Sequence, residues 1–189
     1  MGQVARRFVL LFCVVTIGPS YAAEAQAPVN AAAAAMAAFQ KRVDAYLQVR
    51  SAIAHKLPEV KETGDPAKIS NREKVLGQAI AMARASAKAG DVFGEMAPYL
   101  HNILAKDWAS RSPAEQKALF AELPAGVQLK VNQPYPTTIP LVNAPANLLA
   151  QLPTLPEALE YRLVNRRLLL RDRDANVIVD VLTGTPPNK

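Results

Sequence analysis

Near the C-terminus, three polar side chains occupy every second position. Of the arrangements in this sequence, this one most resembles a metal-binding pattern. In the stretch RDRDANVIVDV, Asp172, Asp174 and Asn176 alternate as the first ligands of a calcium-binding loop do. An EF-hand loop also needs Gly at its sixth position and Glu at its twelfth, where this chain has Val177 and Thr183. Asp and Asn side chains also favour turns, because they bond to nearby backbone groups. The stretch therefore predicts a turn between two strands.

Arginines crowd the same region, and this cluster allows two interpretations. One is a cationic patch that binds phosphate or carboxylate groups of an envelope polymer. The other is a charged shield that keeps a sheet edge soluble. Tyr135, between two prolines, is either a surface contact or an anchor for the chain around it. The candidate anion or partner contacts are Arg162, Arg166, Arg167, Arg171 and Tyr135, with Arg173 in the same cluster.

The other reactive residue types lack the spacing that catalysis or metal binding uses. His55 and His101 fall on different predicted helices, without an HxxxH or HExxH neighbourhood. The chain has no GxSxG or SxxK nucleophile motif, and no GxGxxG or Walker loop for a nucleotide. The sequence therefore predicts a protein that is not an enzyme and has no cofactor.

The N-terminus has the order of a secretory signal peptide. Arg6 and Arg7 precede a short apolar run, which small residues follow, and the run is too short to span a bilayer. Cleavage after residue 22, 25 or 27 would remove Cys13, the only cysteine. We expect a signal peptide over 1–27, a flexible lead-in over 28–36, a single domain over 37–183 and a tail over 184–189.

Two long helices are expected at the start of the domain. Apolar residues recur at steps of three and four from Met36 to Pro58, and again over 69–83. Asp65 and Pro66 have the types expected for an N-cap and a first helical residue. Gly90 is expected to close the second helix.

Two shorter helices follow, over about 95–108 and 113–123. Ser112 and Glu115 form a capping box at the start of the second one. Its expected apolar side comprises Leu119, Phe120 and Leu123.

The pattern changes to extended structure after Pro124. Residues 127–131 alternate as a short strand, and six prolines between 134 and 156 exclude a long helix or a central strand there. Alternating apolar residues over 159–163 and apolar runs over 168–170 and 177–182 then predict a three-stranded antiparallel meander, with turns at Asn165-Arg166 and over 172–176. Asp180, which interrupts the last run, has no explanation in the pattern.

The fold class that follows is α+β. A helical N-terminal half, with two long and two short helices, is expected to pack on a small C-terminal antiparallel β-meander. The strand over 127–131 is a candidate fourth member of that sheet.

Several blocks resemble a family of uncharacterised secreted bacterial proteins: LPEVKETGDPAKI, GDVF, VNQPYP, LPTLPEALEYRLV and ANVIVDVL. This resemblance covers most of the mature chain and implies an exported single domain without known catalytic residues. The tail, EYRLV to ANVIVDVL, is also similar to the C-terminal β segment of small periplasmic nickel/cobalt-homeostasis proteins.

We therefore expect a periplasmic or secreted binding or envelope-accessory module whose partner is an envelope protein or an anionic envelope polymer. The mild positive charge, +6 before cleavage, does not point to nucleic acid. The alternatives are a periplasmic metal-homeostasis protein and a small secreted hydrolase. No membrane span is expected after signal cleavage.

Overall fold

A computed structural model describes residues 27–58, 64–119, 122–141 and 144–184 of the chain. The predicted signal peptide, apart from Ala27, and most of the predicted tail lie outside these residues. The elements are α1 (Ala27–Ala54), α2 (Pro66–Ala83), a 3-10 turn (Gly94–Met96), α3 (Ala97–Ala109), α4 (Pro113–Leu119), α5 (Ala146–Leu149), β1 (Leu159–Val164), β2 (Arg167–Asp172) and β3 (Val177–Leu182). Of the described helices, none combines the length and apolarity that a membrane span requires.

This order confirms the α+β prediction, with the helices before the sheet. The three strands form one antiparallel sheet in the order β1-β2-β3. Asn165 and Arg166 join β1 to β2 with positive φ angles of 42° and 59°, as a two-residue type I′ turn between antiparallel strands requires. The second predicted turn is also confirmed, since β2 ends at Asp172 and β3 begins at Val177.

Local capping explains where two of the helices begin. The side chain of Asp65 accepts the backbone N–H of Ala67 at 3.0 Å, and Pro66 is the first residue of α2. At α4 the carboxylate of Glu115 accepts the backbone N–H of Ser112 at 2.8 Å, which completes the predicted capping box. Phe120, expected on the apolar side of that helix, lies outside the described residues.

Three helix boundaries differ from expectation. Residues 122 and 123, predicted in α4, are not helical, and Leu123 packs against the apolar cluster that contains Tyr135 and Leu169. Helix α1 already begins at Ala27, so the region expected as a flexible lead-in is helical. Its alanines have the highest helix propensity, and Pro28 is tolerated in a first helical turn. Helix α2 ends at Ala83, and Gly90 lies in the later turn with a φ of 90°. Gly90 therefore serves the turn rather than the end of the helix.

The sheet is covered on both faces, whereas only the helical cover was expected. Phe39, Ile80 and Leu100 from the helices pack with Leu168 and Leu170 on one face. A second apolar cluster covers the other face. The strands contribute Val164, Leu169, Ile178 and Val181, and the chain before and within the proline-rich region contributes Leu129, Tyr135 and Ile139. The proline-rich segment thus forms a third layer.

The strand predicted over 127–131 is absent, and the chain pairs with β3 slightly later. The N–H of Asn132 donates to the carbonyl of Ile178 at 2.8 Å, and the N–H of Tyr135 donates to the carbonyl of Asn176 at 2.8 Å. Between them Pro134 forms an isolated bridge with Val177. Because proline has no N–H, regular pairing cannot continue along this edge.

A bulge in β3 explains Asp180. Leu170 pairs with Asp180, whereas the next residue, Arg171, pairs with Ile178. Val179 is therefore an extra, unpaired residue in β3. Pairing with Leu170 turns Asp180 towards the helical layer. There its fully buried carboxylate accepts four backbone N–H groups at 2.6–2.8 Å, from Gly90, Val92, Phe93 and Val181. Asp180 therefore fixes the turn before α3 to the sheet.

Burial raises the pKa of Asp180, and the four N–H bonds, which favour the carboxylate, oppose that shift.

Candidate functional site

The acidic turn that resembles a calcium loop is bonded to helix α1. Asp172, fully buried, accepts a hydrogen bond from the Tyr46 hydroxyl and another from Nε of Arg50, both at 2.7 Å. The same carboxylate accepts the backbone N–H groups of Asp174 and Ala175, at 3.0 and 2.9 Å. Asp174, which is exposed, forms a second ion pair with Arg50. These bonds close the turn and dock it on the helix, so its acidic groups serve the fold.

Two of the predicted anion contacts are buried in a cluster beneath the proline-rich layer. Arg162 and Arg171 are each 7% exposed, and both bond to the carboxylate of Glu160 at 2.5–2.8 Å. Arg171 also donates to the side-chain oxygen of Asn176 at 2.7 and 2.9 Å. Its guanidinium carbon lies 5.4 Å from the ring centroid of Tyr135. Arg162 does point away from the helical face, as alternation predicts, but the third layer covers it.

Tyr135 lies in the same cluster and is 3% exposed. Its hydroxyl donates to the carbonyl of Pro140 at 3.3 Å, and burial raises its pKa. The structure therefore favours the anchor interpretation of Tyr135. The remaining arginines of the hairpin region differ in exposure: Arg166 and Arg173 are exposed, while Arg167 is half-buried. The five arginines consequently do not form one exposed patch.

Glu160 gives this cluster a measurable pH dependence. Burial would raise its pKa, but hydrogen bonds from Arg162 and Arg171 outweigh burial, and the pKa lies below the ordinary 4.5. The stabilisation by Glu160 is therefore present above about pH 4.5 and is lost as pH falls through the folded-state pKa.

We expect Glu160→Gln to lower the free energy of unfolding by roughly 3 kcal/mol at pH 7, because two buried guanidinium groups lose their carboxylate. Urea unfolding between pH 3 and 7 measures the difference from the native protein, which should shrink below pH 4.5. Glu157→Gln, at an exposed position, is the matched control with little effect at any pH. A difference that does not change with pH would contradict this account of Glu160.

A groove with a volume of about 850 Å³ lies between α2 and the proline-rich layer. We call it the α2 groove. One wall is the face of α2 that carries Lys74, Gln78 and Met82; the other wall is formed by residues 132–137, and residues 175–177 lie between the walls. This volume is within the range of ligand sites in proteins.

The walls of the α2 groove present neutral polar groups and apolar surface. The side chains of Gln78 and Gln133, on opposite walls, make no hydrogen bond within the described part of the chain. Met82, at 79% exposure, adds a flexible apolar side chain. Glu73 and Lys74 contribute opposite charges. An uncharged ligand with both amide and apolar groups therefore matches this lining.

Gly77 sets how closely the helix approaches the sheet beneath the groove. A Cβ at this position would lie 2.6 Å from the carbonyl oxygen of Ala175 and 3.0 Å from a methyl group of Val177. A side chain would push α2 away from the turn that Asp172 organises. Because Gly77, Ala175 and Val177 all line the groove, its shape depends on this contact.

The α2 groove is bounded near the C-terminus of α2 by a reciprocal pair. Nη1 of Arg84 donates to the side-chain oxygen of Asn132 at 3.1 Å, and the Asn132 amide donates to the Arg84 carbonyl at 2.5 Å. Nη2 of Arg84 also donates to the carbonyl of Val179 at 3.1 Å. Burial lowers the pKa of Arg84. The pair joins helix, third layer and sheet at one point.

The two histidines lie on separate helical regions, His55 exposed just after α1 and His101 half-buried in α3. Across residues 27–58, 64–119, 122–141 and 144–184, no three His, Cys, Asp or Glu side chains come close enough together to hold a metal ion.

Comparisons with known proteins gave no relatives. A scan against family models found no match, and searches of curated proteins and of solved structures found none either. The resemblance to secreted bacterial proteins therefore stays a prediction.

Sequence patterns did not indicate the α2 groove. Its amides have no diagnostic spacing, and its third side comes from a hairpin that is distant in sequence. One signal was present: α2 carries apolar residues on more than one face. Met82, which lies outside the predicted buried stripe, is 79% exposed and lines the groove. Ile69, predicted in that stripe, is 52% exposed but does not line the groove.

Proposed function

We propose that this protein is an exported, non-enzymatic binding module that holds an extended segment of another envelope protein in the α2 groove. The observation that carries the proposal is the pair of amide side chains, Gln78 and Gln133, on opposite walls of one groove. An amide offers both a donor and an acceptor, which are the groups that a peptide backbone needs.

The rest of the lining agrees with a peptide ligand. Met82, Pro134 and Pro136 supply apolar surface for side chains, and a thioether adapts to different shapes. The charges of Glu73 and Lys74 oppose each other, which disfavours a strongly anionic polymer in this groove. The predicted signal peptide directs the protein to the periplasm or to the outside of the cell, where envelope proteins are present.

Site-directed crosslinking in cells tests this proposal. Met82→Cys places a thiol on the groove wall, and the only native cysteine, Cys13, falls within the predicted signal peptide. With a short thiol crosslinker, we expect Met82→Cys to capture a defined envelope protein. Met36→Cys is the matched control, because Met36 is 40% exposed on α1 and does not line the groove. Equal capture by both variants, or no capture at position 82, would contradict the proposal.

A further inference from the structure

A second groove on the same molecule is lined by positive charge. Its volume is about 470 Å³, and it lies between the turn at residues 87–89, residues 129–131 and the strand residues Arg167 and Val181. We call it the cationic groove. It shares no lining residue with the α2 groove, although Val131 lines the cationic groove and the following residue, Asn132, lines the α2 groove.

Three cationic side chains line this groove, and no acidic residue does. Lys88 and Lys130 are exposed and Arg167 is half-buried. Within the described part of the chain, none of the three forms an ion pair. Asp91, whose carboxylate accepts the backbone N–H of Lys88 at 2.7 Å, is not part of the lining.

The base beneath these charges is buried and apolar. Leu129 and Val181 are 6% and 5% exposed, and both belong to the core cluster under the third layer. Thr183 adds an exposed hydroxyl at the rim. The cations are therefore carried by three separate segments around a packed base, not along one mobile chain.

From this arrangement we propose that the cationic groove binds a phosphate monoester. A phosphate monoester has a charge of about −1.5 to −2 at neutral pH and three acceptor oxygens. It matches three cations that line one groove better than a single carboxylate does. Arg167 can donate two parallel hydrogen bonds to such a group, and the lysines add compact charges. The inference is independent of the peptide proposal, since the two grooves have different linings.

Titration of the mature protein tests the inference, with inorganic phosphate in one arm and phosphatidylcholine vesicles containing phosphatidic acid in the other. We expect saturable binding in at least one arm. Saturation by phosphate alone indicates a soluble ligand, and saturation by vesicles indicates a lipid headgroup. The double variant Lys88→Gln/Lys130→Gln should bind at least about 10-fold more weakly, because charge-assisted hydrogen bonds are lost.

The matched control is Lys41→Gln/Lys56→Gln, which removes two exposed lysines outside the groove. It should bind as the native protein does. Equal weakening in both double variants would mean non-specific charge attraction and would overturn the inference. No saturable binding in either arm, or equally tight binding of succinate, would also overturn it.

Discussion

Asp172→Ala is expected to lower the free energy of unfolding by about 4 kcal/mol, the largest effect of any single substitution in the turn. The change leaves Arg50 without its buried partner and the Tyr46 hydroxyl without an acceptor. It also removes the acceptor of two turn N–H groups, those of Asp174 and Ala175. Urea unfolding at neutral pH measures the loss.

The control for this substitution is Asp174→Ala, which removes the other carboxylate bonded to Arg50. Its side chain is 67% exposed, so we expect a loss below about 1 kcal/mol. Similar losses for the two variants would contradict a structural role confined to Asp172. Calcium provides an independent check, because a turn held by Arg50 should show no rise in Tm on calcium addition.

Asp180→Ala is expected to cost about 4 kcal/mol, because four backbone N–H groups lose one shared acceptor and buried unpaired donors are costly. Three of these groups belong to the turn before α3, so the amides of Val92 and Phe93 should also exchange faster with solvent. Urea unfolding and hydrogen exchange measure the two effects.

Asp180→Asn is the informative companion variant, since its amide retains one acceptor oxygen and similar volume. We expect it to lose stability as well, because the amide nitrogen is a donor and cannot accept the two N–H groups that one carboxylate oxygen accepts. A loss below about 1 kcal/mol for Asp180→Ala would mean that the turn before α3 does not depend on this carboxylate.

Local signals allowed most of the secondary structure to be predicted. The N-cap at Asp65, the capping box at Ser112 and the turn at Asn165-Arg166 each depend on neighbours within a few residues. The strand alternation in β1 likewise requires only a period of two. These features are therefore visible without the tertiary structure.

Burial of charge could not be predicted in this way. Asp172 is buried because Arg50 reaches it from 122 positions away, and Asp180 is buried because donors 87–90 positions away converge on it. The bulge that aims Asp180 inward has no local marker such as glycine. Arg162 and Arg171 were expected at the surface because the cover over their face consists of irregular chain.

The candidate site was hidden for the same reason. The α2 groove combines a helix face, a proline-rich segment and a β-turn, and Gly77 sets their spacing. The residues with the strongest chemical patterns, in RDRDAN and the arginine cluster, mostly hold the fold together. The neutral amides of the α2 groove, by contrast, follow no recognisable sequence pattern.

The most direct test of the binding-module account is retention of an envelope protein by immobilised native protein and by two arginine variants. Ala81→Arg places a long side chain in the α2 groove, whereas Ala83→Arg makes the same change at an exposed position on the same helix, outside the groove. The account predicts that the native protein and Ala83→Arg retain the same envelope protein, and that Ala81→Arg binds it at least about 10-fold more weakly with an unchanged Tm. Equal retention by all three proteins, or none by the native protein, would contradict it.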